Sequence, residues 1–132
     1  HPGRMEWISE NVLLDGAHNP AGARQLAEYL TDLKSRDDRK ITLVFGCSKN
    51  KEIRNIAWQL SPVVDRIFAT HCSHPRACPS DELVKIVKTD TAIFDMGSIE
   101  NAVTHCRDED LVVVAGSIFL VGAARKLLKV SN

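Results

Sequence analysis

Val12-Leu13-Leu14-Asp15-Gly16-Ala17-His18-Asn19-Pro20 runs from an apolar triplet through a turn into a proline that opens a helical pattern. The triplet reads as a buried strand, because it carries no polar residue until Asp15-Gly16 stops it. From Pro20 to Lys34 the apolar positions Ala23, Leu26, Ala27, Leu30 and Leu33 recur every three or four residues, which is one face of a helix. Proline suits the first helical turn, where its missing N–H would have no partner anyway. Strand, turn and helix in direct succession make one βα unit, and the fold depends on whether that unit repeats.

Outward from this unit it does repeat. Ile41–Phe45 is a second apolar strand closed by Gly46, and residues 51–60 follow as a helix with Ile53, Ile56, Ala57 and Leu60 on one side. Val63-Val64 and Ile67-Phe68-Ala69 give a third strand region. Residues 81–87 read as a helix, with Ser80 as its expected N-cap and Asp81 and Glu82 in the first turn. Residues 91–94 form a fourth strand and 98–106 a helix. Leu111–Ala115 is the most continuously apolar strand, closed by Gly116, and residues 117–130 are the last helix. Parallel strands need a crossover to bring the chain back, so this alternation predicts an α/β fold of three layers, a mostly parallel sheet with helices on both faces. In such sheets ligands lie outside the carboxyl ends of the strands. The segments to weigh are therefore Asp15 to Asn19, Gly46 to Asn50, Thr70 to Cys78, Asp95 to Gly97, and Gly116-Ser117.

Composition narrows the class. In 132 residues, 17 Lys and Arg balance 17 Asp and Glu, and 44% of the chain is hydrophobic, as in an ordinary globular domain. Zero net charge argues against a nucleic-acid partner, since phosphate binding draws on clustered Lys and Arg. Spanning a bilayer takes roughly 18–20 apolar residues, and no run approaches that, so no membrane partner is expected and the chain is read as soluble and cytoplasmic. Cys47, Cys72, Cys78 and Cys106 are expected as reduced thiols, because this much aliphatic content needs no disulfides. The chain starts at His1 rather than Met and is expected to be part of something longer.

Asp15-Gly16-Ala17-His18-Asn19 places a carboxylate, an imidazole and an amide between a strand end and a helix start. Asp and Asn are ordinary turn and cap residues, and a histidine in such a turn is often only solvated. Against that, the helix N-terminus offers N–H groups and partial positive charge to an anion. Asp15 is suited to accept from a ribose or an amine, and His18 to donate to a phosphate oxygen. His71-Cys72-Ser73-His74-Pro75-Arg76-Ala77-Cys78 holds zinc-type ligands, but neighbouring side chains point apart, so it is read as a loop at a cleft edge. A stand-alone dinucleotide-binding module would carry G-x-G-x-x-G after the first strand, and that motif is missing. An interaction module without ligase activity would scatter Asp15, His18 and Ser117 instead of lining one cleft with them.

Leu13-Leu14-Asp15-Gly16-Ala17-His18-Asn19-Pro20 resembles the signature that opens the C-terminal domain of folylpolyglutamate synthases and dihydrofolate synthases, in the Mur ligase superfamily. Pro2-Gly3-Arg4-Met5-Glu6 before it is similar to the family's preceding segment. Phe45-Gly46 to Glu52, Pro75-Arg76-Ala77 with Glu82-Leu83, and Val114 to Gly122 resemble later motifs in the right order. The resemblance implies a Rossmann-like domain of an ATP-dependent ligase that joins L-glutamate to a folate or dihydropteroate carboxylate through an acyl phosphate. It implies that residues 1–132 are a single C-terminal glutamate-ligase domain, whose partner N-terminal domain binds most of the Mg2+ and folate. The phosphate loop G-x-x-x-x-G-K-[ST] of that other domain does not occur in this sequence.

Position by position, the resemblance puts Arg4, Asp15, His18 and Asn19 at ATP, with Asp15 and His18 catalytic, and Ser117 at the incoming glutamate. No metal ligand is assigned to this chain, and a monomer is expected. Asn50 stands where the family commonly has an acid, which leaves it a helix-capping role.

Overall fold

The computed structural model describes residues 4–130. In chain order its elements are β1 (Glu6–Ser9), β2 (Val12–Asp15), α1 (Pro20–Lys34), β3 (Ile41–Phe45), α2 (Ile53–Leu60), β4 (Arg66–His71), α3 (Ser80–Ile86), β5 (Ala92–Ser98), α4 (Ile99–His105), β6 (Leu111–Ala115) and α5 (Ile118–Val130). Among the described residues the strands form one sheet in the order β1-β2-β6-β3-β4-β5. The edge strand β1 runs antiparallel to β2, and every other pairing is parallel.

Periodicity of two within apolar strands builds a core on each face. Leu13, Leu43, Phe45 and Val113 face α1, α2 and α3 and pack with Leu26, Leu30, Ile56, Leu60 and Leu83. Leu14, Val44, Val112 and Val114 face α4 and α5 and pack with Ile99, Ala102, Leu120, Val121 and Ala124. The central strands β6 and β3 are buried at every residue, as strands covered on both faces must be.

Local chemistry departs from expectation in four places. Val63 belongs to a short 3-10 turn, Ser61–Val63, in which Pro62 presets the backbone, and the strand begins at Arg66. Ser80 does not cap α3: Pro79 occupies the cap position and Ser80 is the first helical residue, its N–H donating to His71 Nδ1 at 2.9 Å. The fourth parallel strand starts at Ala92 and continues to Ser98, whose hydroxyl caps α4 through Asn101 N. The edge strand β1 went unread, because four residues of intermediate and exposed character carry little apolar signal.

What positions the site is the direction change in the sheet. The chain steps from β2 past a gap to β3, β4 and β5 with α1, α2 and α3 on one face, then returns through α4 on the other face and inserts β6 into the gap. Neighbouring strands β2 and β6 therefore send their following helices, α1 and α5, to opposite faces. A crevice opens between those two helices at the carboxyl ends, as at any topological switch point.

Candidate functional site

The crevice is a cleft of about 360 Å3 whose wall includes Arg4, Asp15, His18, Asn19, Gln25 and Arg125. A second pocket of about 370 Å3 adjoins it, with His18, Asn50, Lys51, Arg76, Ser117 and Phe119 in its lining. His18 and Ile118 belong to both. The structure thus brings all five expected residues together, four of them in the first cleft and Ser117 beside His18 in the second. In the sheet this follows from register, since Asp15 pairs with Ala115, two residues before Ser117.

Asp15 is buried at 3% exposure, and its oxygens accept two backbone N–H groups, from Ala17 at 2.8 Å and from Met5 at 3.2 Å. Burial pushes its carboxyl above the ordinary value, against the pull of those N–H groups and of the Arg4 charge. Each carboxylate oxygen has a second lone pair, so Asp15 both ties the turn together and can accept from a ligand.

His18 is exposed at the junction of the pockets, with Nδ1 2.9 Å from Gly16 O. A carbonyl only accepts, so Nδ1 carries the proton and the neutral ring presents Nε2 as an acceptor. Donation to a phosphate oxygen requires the doubly protonated ring.

Asn19 caps α1, its side chain accepting from Gly22 N at 2.8 Å while its carbonyl accepts from Ala23 N at 3.0 Å. With Pro20 lacking an N–H, Ala21 is left as the one first-turn donor without a partner among the described residues. The anion affinity of this end therefore rests more on Arg4 than on helix N–H groups. Ser117 is buried and caps α5, accepting from Phe119 N at 3.1 Å and Leu120 N at 3.4 Å.

Gly116 sets Ser117 in place. It adopts φ 115°, and a Cβ there would stand 2.1 Å from Gly46 O, so only glycine lets the ends of β6 and β3 close together. Beyond β3, the loop to α2 zips antiparallel to the loop after β4: Ser48 pairs with Ala77, and Lys49 N donates to Arg76 O at 2.8 Å. That pairing carries Lys51 and Arg76 into one pocket. Asn50 does not cap α2, which starts at Ile53 with Glu52 in the cap position and no side-chain bond; it lines the pocket instead.

The His71-to-Cys78 loop is built structurally. His74 stacks on Phe119 with ring centres 3.8 Å apart. Cys72 and Cys78 are buried in the two opposite cores. All four thiols are free, and burial pushes Cys47 up to about 11 and Cys106 up to about 12.

Sequence reasoning missed Gln25 and Arg125. Each stands beside another polar residue inside a helix, Gln25 after Arg24 and Arg125 before Lys126, so nothing local sets it apart, and only the packing of α1 and α5 around the crevice identifies them.

An open, mostly parallel α/β domain with a charged crevice at its switch point is thus the class of protein that fold and site define. The model of the Mur ligase, glutamate ligase domain family matches residues 3–118, and the chain belongs to that family. It is 31% identical to the dihydrofolate synthase/folylpolyglutamate synthase of Buchnera aphidicola, over 98% of this chain and 32% of that protein. It also resembles E. coli FolC in complex with DHPP and ADP, with a TM-score of 0.86 and 25% identity, over 99% of this chain and 32% of the other. A bifunctional folylpolyglutamate synthase/dihydrofolate synthase with Mn, AMPPNP and L-glutamate bound gives a TM-score of 0.79 at 27% identity, over 100% and 32% of the two chains. The chain spans about a third of the length of these relatives.

Proposed function

We propose that this chain is the C-terminal domain of an ATP-dependent ligase that adds L-glutamate to a folate or dihydropteroate carboxylate through an acyl phosphate. The observation that carries the reading is the pair of adjoining pockets sharing His18. The first, with Arg4 beside buried Asp15, suits a nucleotide: a cation for phosphate, a carboxylate for ribose hydroxyls. The second, with Lys51, Arg76 and the Ser117 hydroxyl, suits the carboxylates of an amino acid. Relatives are named dihydrofolate synthase/folylpolyglutamate synthase, E. coli FolC is solved with ADP, and a bifunctional synthase is solved with AMPPNP and L-glutamate.

In the mechanism proposed, Arg4 neutralises phosphate charge and Asp15 orients the ribose. Ser117 and the Lys51–Arg76 wall hold glutamate by its carboxylates. His18, fixed by Gly16 O, faces both ligands and presents Nε2 to a proton on the incoming amine or, once protonated, to a phosphate oxygen. The amine attacks the acyl phosphate carbonyl, an amide forms and phosphate leaves.

Among the described residues no group of three or more His, Cys, Asp or Glu could hold a metal ion. By the family resemblance Mg2+ is assigned mainly to an N-terminal domain, where it would offset charge on the transferring phosphoryl group. The described residues include no helix long and apolar enough to cross a membrane, and a monomer in the cytoplasm is the setting proposed.

Glutamate incorporation into dihydropteroate and into reduced folate, with ATP and Mg2+, tests the reading. The full-length protein is expected to turn over, and the 132-residue chain alone to be inactive, because half the cleft and the phosphate loop would be missing. Turnover by the isolated chain, or none by the full-length protein with either acceptor, refutes it.

A further inference from the structure

Three contacts converge on Arg4-Met5-Glu6, the segment that enters the sheet beside the first cleft. Met5 lies at φ 47°, a left-handed conformation that residues with a Cβ rarely adopt. Its N–H donates to Asp15 Oδ2 at 3.2 Å. On one side Arg4 Nη2 donates to Gln25 Oε1 of α1 at 3.1 Å, and on the other Glu6 is ion-paired to Arg125 of α5. The segment therefore bridges the two helices that form the crevice, with a strained turn between the two attachments.

A left-handed turn without glycine persists only where its surroundings over-determine it. The Asp15 bond holds the middle of this turn, and its exit is held by the backbone pairing of Glu6 with Leu14 in β2 and by the Glu6–Arg125 ion pair, with side chains 29% and 25% exposed. Partly exposed ion pairs add little to overall stability, so the effect of this one falls on where the turn points. Loss of the ion pair leaves the Glu6 backbone paired with Leu14 but removes the tie between the turn's exit and α5, so the strained turn loses one of its constraints and Arg4, the next residue but one, is held less firmly at the cleft wall.

We propose that Arg125 is a positioning residue for nucleotide binding: by holding Glu6 it keeps the left-handed turn at Met5 and so directs Arg4 into the cleft. The role rests on the nucleotide reading of that cleft. Arg125 acts through Glu6 and Met5, and Arg4 makes the contact with the anion.

The test measures KM for ATP, kcat and thermal midpoint in the full-length ligase for R4M, R125M, E6Q, the R4M/R125M double variant and the charge swap E6R/R125E. R4M is expected to raise KM for ATP about tenfold or more, and R125M and E6Q about three- to tenfold with kcat within about twofold. The double variant is no worse than R4M, because Arg125 has nothing left to position, and the swap returns KM to within about twofold of wild type. All midpoints stay within about 3 °C, as for a surface pair. Wild-type KM in R125M, effects of R4M and R125M that multiply, or an unrescued swap with R125M far worse than E6Q each overturn the positioning role while leaving the nucleotide reading intact. Wild-type KM in R4M overturns the nucleotide reading itself, and the positioning role with it.

Discussion

Replacing Gly116 by alanine probes the contact that seats Ser117. Gly116 has φ 115°, and the new Cβ would lie 2.1 Å from Gly46 O and 2.9 Å from Phe45 Cε1. The nearer atom belongs to the backbone and cannot swing aside, so the ends of β6 and β3 must part. Overpacking a tight interior costs about 1–3 kcal/mol. Holding a Cβ-bearing residue in this part of backbone space costs about 1–3 kcal/mol more. With about 2.1 cal/mol/K of unfolding entropy per residue, roughly 2–6 kcal/mol lowers the midpoint of this 132-residue chain by roughly 7–22 °C. Gly122 supplies the contrast, because it lies within α5 and a Cβ there meets nothing within 4 Å. The same substitution there is expected to stabilise by about 0.5–1 kcal/mol, since alanine restricts the unfolded chain and favours helix. Thermal melting of wild type, G116A and G122A by circular dichroism decides the matter. A G116A midpoint within about 2 °C of wild type, or one above G122A, refutes the reasoning.

Two further outcomes follow from the site. H18A in the full-length ligase is expected to lower turnover by about a hundredfold or more with an unchanged melting midpoint, because the exposed ring makes one hydrogen bond, to Gly16 O; a rate within threefold of wild type would show that His18 only decorates the turn. The pH dependence of Asp15 carries a definite sign. Burial raises its folded value above the unfolded one, so its contribution to stability is full below the unfolded value and shrinks as pH rises through the folded one. Asparagine does not titrate, so wild type should lose stability relative to D15N from about pH 4 toward neutrality, read as urea midpoints. A gap that stays constant, or moves in favour of wild type, contradicts the burial argument.

Much of the site was legible because its residues sit in one short segment. Asp15, His18 and Asn19 share a turn, and the strand-to-helix change of period marks that turn as a sheet edge. Ser117 was legible for the same reason, standing just past an apolar strand that ends in glycine. The helix-cap expectations fared worse: neither Ser80 nor Asn50 caps its helix, since the chain's path into each helix is set by Pro79 and by the Ser48–Ala77 pairing. Gln25 and Arg125 left no local mark, and nor did the left-handed turn at Met5.

By itself the sequence determined the alternation of strand and helix, the two-sided sheet and the turn where chemistry gathers, because these depend on apolar spacing and on residues adjacent in the chain. Only the tertiary structure decided that β6 enters between β2 and β3, and with it the crevice, the meeting of Asp15 with Ser117 and the reach of Arg125 to Glu6. Strand order is a competition among long-range packings of similar apolar strands, and periodicity along one strand does not encode which neighbour it will have.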